Sequence, residues 1–189
     1  MNPDLIAYIK RFVDISNEEI DIFNSYLKPK ELSRKAFLLN EGQVCKSRYF
    51  VNSGCVRLYY INNKGNEQII HFAIDNWWIT DYESLINKTP SKLYIQAIEK
   101  TSLYELPEES FDALCEEVLN AERLFRKIME KTYVAIQKRI EYIYSLSGEQ
   151  LFETFISANP EFTQRVPQYM IASYLGMSPE FISKIKSKK

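Results

Sequence analysis

Residues 166–189 read "VPQYMIASYLGMSPEFISKIKSKK", and how this stretch folds decides how the other residues are to be read. Met170, Ile171, Tyr174 and Leu175 fall on one face of a helix, with Pro167 at its entrance, where a missing N–H does no harm. Gly176 stands where such a helix ends in a left-handed residue. Ser178 is a good N-cap and Pro179 a good first helical residue, so a second helix starts just after the glycine. In that helix Ile182 and Ile185 are the inward pair, while Glu180, Ser183, Lys184 and Ser187 share the opposite face. Ala172 lies at the crossing, where a larger side chain would hold the two helices apart.

This spacing predicts a helix-turn-helix with Ala172, Leu175, Gly176, Ile182 and Ile185 as its core. An ordinary helical hairpin uses the same signals, but the tight turn, the small crossing residue and the exposed polar face together favour duplex DNA as the partner. Glu180 can accept from a cytosine amino group, and Lys184 can donate to guanine or to phosphate. Ser183 lies on the same face, and Lys186, Lys188 and Lys189 read either as contacts to backbone phosphates, which add affinity without sequence information, or as a solvated tail.

The composition of the 189 residues is that of a globular chain, 46% hydrophobic and 26% charged with a net charge of −1, and it allows one large or two modest domains. No apolar run approaches the roughly 18 residues that span a bilayer, and the amino terminus lacks a signal-peptide layout, so the expected location is the cytoplasm, with no membrane partner. Cys45, Cys55 and Cys115 are scattered and read as reduced thiols rather than a disulfide framework or a zinc site. His71 is the only histidine, and a lone histidine in a strand reads as a packed residue. The phosphate-loop, dinucleotide, nucleophile-elbow and zinc-protease motifs are missing, so no catalytic residue, metal or cofactor is expected. The charge is uneven: residues 105–117 hold six acidic groups and no base, and residues 181–189 hold four lysines and no acid. A basic tip on a neutral body suits contact with a polyanion at one end.

Ahead of the basic tip, the first thirty residues read as helical, with Leu5, Ile9 and Phe12 on one face and a capping box at Ser16 and Glu19. From Glu31 to Leu106 the period becomes two, predicting strands at 31–39, 48–52, 55–61, 67–74, 92–98 and 102–106. In the third of these, Val56, Leu58 and Tyr60 are expected on one face and Arg57 and Tyr59 on the other. Gly42, Gly54 and Gly65 punctuate the run at the turns, which argues for a compact β roll. Helical periodicity then runs from 108 to 146. Val118, Ala121, Phe125 and Ile128 form a stripe, continued by Ile136, Ile140 and Ile143. Either the helix lies on the β unit or, the reading preferred here, the stripe is a dimer seam. A short amphipathic helix at 149–158 and a loop at 161–166 lead to the opening stretch.

The predicted fold is therefore α+β: a jelly-roll-like β roll (residues 1–107), a long dimerisation helix (108–146) and a C-terminal helix-turn-helix domain (147–189). In that order, and above all in "IASYLGMSPEFISKI", the chain resembles the Crp/Fnr family of bacterial transcription regulators. The resemblance implies a homodimer on a pseudo-palindromic DNA site, an N-terminal cyclic-nucleotide-binding-like sensor, and RNA polymerase as a further partner. It places Ser178, Pro179, Glu180 and Lys184 on the family's DNA-contacting positions, although a basic residue commonly stands where this chain has Pro179.

The sensor departs from the family pattern. Nucleotide-binding relatives open a short helix with Gly-Glu and follow it with Arg-Ser or Arg-Thr, whereas "DNWWITDYESLINKTPSKLYIQAIE" has no Gly-Glu and places Ser91-Lys92 near the Arg-Ser position. Lysine does not reproduce a buried bidentate guanidinium, so cAMP and cGMP are not expected to bind. Trp77, Trp78, Tyr82, Ser91, Lys92 and Tyr94 are left as filled core or as the lining of a pocket for an unknown small effector. The competing reading is a ligand-binding or protein-interaction module whose C-terminal helices are structural only.

Overall fold

The computed structural model describes residues 3–187. Lys188 and Lys189, assigned above to phosphate contacts, lie outside the described residues. The chain opens with α1 (Pro3–Lys10) and α2 (Asn17–Ser25). The capping box expected at α2 is present: the Glu19 N–H donates to the Ser16 hydroxyl (3.1 Å), and the Ser16 N–H donates to the Glu19 carboxylate (2.9 Å).

Next come β1 (Lys28–Leu32), β2 (Phe37–Leu39), β3 (Ser47–Ser53), β4 (Val56–Ile61), β5 (Glu67–Ala73) and β6 (Trp77–Ile79). A short helix α3 (Tyr82–Asn87) precedes β7 (Tyr94–Ala97) and β8 (Thr101–Pro107). These strands form two antiparallel sheets, ordered β1-β8-β3-β6 and β2-β7-β4-β5. The strand expected over 31–39 is two strands, because the chain turns at Lys35, which adopts a φ of +70°. Pro29 is tolerated in β1 because β1 is an edge strand. The sequence reading missed β6 and α3, which are too short to show a period.

Three apolar layers follow from the alternation along the strands. Between the sheets lie Tyr49, Val51, Val56, Leu58, Ile95 and Leu103, which fill the interior of the roll. Outside the first sheet, Phe50 and Leu106 pack with α1, α2 and the helices after β8. Outside the second sheet, Tyr59, Ile69 and Phe72 share a core with the C-terminal helices. The predicted alternation in β4 therefore holds through Tyr59, but both faces are buried. A register shift between Leu58 and Tyr59 then leaves Tyr60 exposed, against expectation. Cys45 and Cys55 are buried and Cys115 is half-buried, all free. Burial pushes the Cys55 thiol up to about 12, so it packs as an apolar group rather than acting as a thiolate.

The helical run predicted over 108–146 is broken. α4 (Phe111–Glu117) ends at Val118, whose backbone is extended, and α5 (Ala121–Ser145) starts anew. The predicted seam of Val118, Ala121, Phe125 and Ile128 is corrected accordingly: all four are buried within the chain. Phe23 and Trp78 cover Phe125, with ring centroids 6.4 Å and 5.0 Å away. The exposed stripe is Met129, Tyr133, Ile136, Ile140 and Ile143: its last three are the expected continuation, and its first two lie one residue past the covered stripe. Four helices close the chain: α6 (Gly148–Ala158), α7 (Pro160–Arg165), α8 (Gln168–Leu175) and α9 (Pro179–Ser187). The expected loop at 161–166 is mostly helical, with Pro160 at its first position.

Gly54 is the turn on which the roll closes against the C-terminal helices. Its φ is +114°, and a Cβ there would lie 2.5 Å from Thr101 Oγ1 and 2.7 Å from Thr101 Cα. Gly65 also has a positive φ, of +77°, but faces open space. Gly65→Ala is expected to cost about 1–2 kcal/mol from backbone strain alone, and Gly54→Ala about 3 kcal/mol or more, since the clash adds to the strain. Urea unfolding of the two variants checks the order, and equal losses would contradict the role given to Thr101.

Candidate functional site

The α8–α9 unit forms as its sequence dictates. Gly176 ends α8 in the left-handed conformation, at φ 70° and ψ 27°. The Ser178 hydroxyl accepts from the Phe181 N–H at 3.2 Å and caps α9. Ala172 is fully buried at the crossing, with Leu175, Ile182 and Ile185 around it. On the outer side Pro179, Glu180, Ser183, Lys184 and Lys186 are exposed, as is Ser178. The Glu180 carboxyl is held below its ordinary range by its own backbone N–H and by the Ser178 hydroxyl, an arrangement suited to the first turn of a helix. Ser183 accepts from the Gln168 side chain at 3.0 Å, which ties the outer face of α9 to the start of α8.

Polar side chains fasten this unit to the β roll. The Ile69 N–H donates to Ser173 Oγ at 2.9 Å, and Ser173 Oγ donates to the Glu67 carbonyl at 2.8 Å. The Gln68 side chain donates to the Ser173 carbonyl. β5 is the last strand of its sheet, so a helix side chain here pairs with groups that a neighbouring strand would otherwise take. Arg139, on α5, reaches both bodies: Nη1 donates to the Ile70 carbonyl at 2.7 Å and Nη2 to the Tyr174 carbonyl at 2.5 Å. Arg165, at the end of α7, donates to Asp75 (2.8 Å), Glu99 (3.0 Å) and the Gly54 carbonyl (2.6 Å).

Between β5, β6, α5 and the C-terminal helices lies a cleft of about 720 Å³. Trp77 and Trp78 line it, but the rest of the predicted pocket is elsewhere. Tyr82 packs against the roll interior. Tyr94 stacks on Tyr59 at 5.1 Å and donates to Glu41, and Lys92 is exposed. Ser91 is buried and donates to Asp81 Oδ2 at 2.6 Å. The structure therefore does not bring those six residues together, because they fall on β6, on α3, in the loop before β7 and on β7, which belong to different sheets and layers. Asp81 is the N-cap of α3, accepting also from the Glu83 N–H (3.1 Å) and the Ser84 N–H (3.3 Å).

Residues 29–118 match the cyclic nucleotide-binding domain family. The fumarate and nitrate reduction regulatory protein of Yersinia pestis is 25% identical over 186 residues, covering 90% of this chain and 72% of that protein. FixK2 from Bradyrhizobium japonicum superposes with a TM-score of 0.70 at 17% identity, over 86% of this chain and 83% of its own. A Crp/Fnr-family transcriptional regulator from Eubacterium rectale gives a TM-score of 0.71, also at 17% identity, over 96% and 87%. Over nearly its whole length the chain is similar to regulators of the Crp/Fnr family, and residues 29–118 carry the cyclic nucleotide-binding domain match. The matched segment holds both sheets, α3 and α4. The fasteners Arg139, Arg165 and Ser173 lie outside it, and the sequence reading missed them. Their partners are distant in sequence, and more than half are backbone groups, which leave no trace in residue type.

His71 is not a ligand to anything described. Its ring stacks against Trp77 with centroids 6.1 Å apart. Burial, helped by the nearby Arg139 charge, lowers its pKa to about 4. The unfolded chain therefore binds one proton more than the folded one between about pH 4 and 6.5. This contribution to stability is complete above pH 6.5 and is lost as the pH falls towards 4. His71→Gln is expected to flatten the fall in unfolding free energy across that window by up to about 1.4 kcal/mol per pH unit. An unchanged slope in pH-resolved urea unfolding would contradict a neutral, half-buried imidazole.

Proposed function

We propose that this chain is a homodimeric, sequence-specific DNA-binding transcription regulator. The observation that carries the reading is the α8–α9 unit: a tight glycine turn, a buried alanine crossing, and an exposed face of Pro179, Glu180, Ser183, Lys184 and Lys186. In this reading α9 enters the major groove, with Ser178, Pro179 and Glu180 at the base edges, Lys184 at guanine or phosphate, and Lys186 on the backbone. Residues 1–107 form the sensor, 108–146 the link and 147–189 the DNA-binding domain, with RNA polymerase as a further partner at the promoter.

The dimer is supported by the stripe at Met129, Tyr133, Ile136, Ile140 and Ile143, whose 4-3-4-3 spacing is that of a coiled-coil seam. These side chains are between 39% and 62% exposed in the single chain, where a stripe of such apolar residues calls for a partner. In sedimentation the protein is expected at twice the 22.3 kDa chain mass. Ile136→Glu combined with Ile140→Glu is expected to give the single-chain mass. A wild-type monomer at micromolar concentration would overturn the seam.

The roll is read as a sensor that does not hold cAMP. Its short helix α3 opens on Thr80-Asp81 rather than Gly-Glu. The Asp81 carboxylate already accepts from the helix N–H groups and the Ser91 hydroxyl, so a cyclic phosphate brought there meets a negative charge in place of a guanidinium. The space between the sheets is filled by side chains.

Selection from randomised duplexes tests the regulator reading. Wild type is expected to enrich a pseudo-palindrome. Glu180→Ala and Lys184→Ala are each expected to weaken that site by about 1–3 kcal/mol and to relax preference at the contacted base. Failure to enrich any site, or selection unchanged in the double variant, would sink the assignment.

A further inference from the structure

The cleft between the roll, α5 and the C-terminal helices has a chemistry of its own. Phe72, Trp77, Phe155, Phe162 and Tyr174 give it an aromatic wall. Its volume of about 720 Å³ lies within the usual range for small-molecule sites. The charges around it are one-sided. Arg11, Lys131, Lys138 and Arg139 line it against a single carboxylate, Asp75, which Arg165 already neutralises. Arg139 donates only to two backbone carbonyls and forms no ion pair among the described residues. Its guanidinium lies 3.9 Å from the Tyr174 ring centroid. His71, neutral at physiological pH, adds no charge.

A second observation points the same way. Among the described residues, three buried side-chain polar atoms have no hydrogen-bond partner: Arg139 Nε, Trp78 Nε1 and Asn76 Oδ1. All three belong to residues of the cleft wall, and two of them are donors. Buried donors without acceptors are costly, and an acceptor brought into the cleft relieves them after a small side-chain rotation.

We propose that this cleft binds a mainly apolar organic anion, a carboxylate on an acyl or aryl body, with Arg139 as its charge partner. The aromatic wall takes the body, and the carboxylate takes the unmatched guanidinium. The site is distinct from the interior of the roll, which is filled, and from the Asp81–Ser91 cluster at α3. Occupancy also bears on the docking of α8, because the same guanidinium bridges Ile70 of the roll and Tyr174 of α8. A ligand that draws Arg139 towards itself favours one arrangement of the two bodies through its difference in affinity for them. That coupling rests on the regulator reading above; the binding site does not.

The protein supplies its own reporter, since Trp77 and Trp78 are its two tryptophans and both line the cleft. Intrinsic fluorescence of the full-length protein is titrated with decanoate and 4-phenylbutyrate, and with 1-decanol and 4-phenylbutanol as uncharged counterparts. The anions are expected to give a saturable change, about ten-fold tighter or more than the alcohols, a difference of about 1.4 kcal/mol. Arg139→Gln is expected to abolish the preference for the anion. Thr154→Phe, which fills the cleft and leaves Arg139 in place, is expected to abolish binding of both kinds. Lack of a saturable change into the millimolar range, equal binding of anion and alcohol, or full binding by Thr154→Phe each overturns the proposal. Because no step uses DNA, failure of the regulator reading leaves this titration intact, and failure of this titration leaves the duplex selection intact.

Discussion

The outer face of the second sheet cannot face water. Tyr59, Ile69 and Phe72 project from it, and β5, its last strand, carries unpaired backbone groups along its edge. The C-terminal helices answer both needs. Their apolar faces complete the core, and the Ser173 hydroxyl stands where the backbone of a neighbouring strand would. Much else follows from this docking. It places Arg165 on Asp75, Glu99 and Gly54, fixes Arg139 between roll and helix, and leaves an unfilled angle between α5 and the docked unit, the cleft. Burying a large apolar side chain is worth roughly 1.5–3 kcal/mol, so the shared core outweighs the partly exposed ion pairs at its rim.

Local chemistry was legible in the sequence wherever one residue decides the backbone. Gly176 takes the left-handed cap, Ser178 accepts at the start of α9, and Ser16 with Glu19 closes the capping box, all as their residue types require. The longer strands β3, β4 and β5 were legible too, to within a few residues, because their alternation survives. What could not be read was which of two equivalent stripes on one helix is covered. The stripe ending at Ile128 and the one starting at Met129 have the same spacing, one residue apart. Only the packing of α1 and α2 over the first leaves the second outside. The predicted pocket failed for a similar reason. Residue type does not say which sheet a short strand joins, so Trp78 on β6 and Tyr94 on β7 end in different cores although both are aromatic.

At α3 the sequence pointed to a missing arginine, and the structure shows a carboxylate bonded to the serine beside that position. Asp81 supplies the negative charge at the start of the helix, and Ser91 turns its hydroxyl to it. These groups are thus satisfied within the chain, and attention shifts to the cleft on the far side of the sheet.

The Ser173 contact has a consequence for the protein in solution. A helix that pairs with a sheet edge hides that edge, and whenever α8 lifts away, the Ile69 N–H and the Glu67 carbonyl become open to any extended chain nearby. The undocked form is thus a template for strand addition, and its safe lifetime shortens as the protein becomes more concentrated. Any rearrangement that frees α8 must therefore be brief or must cover β5 by other means.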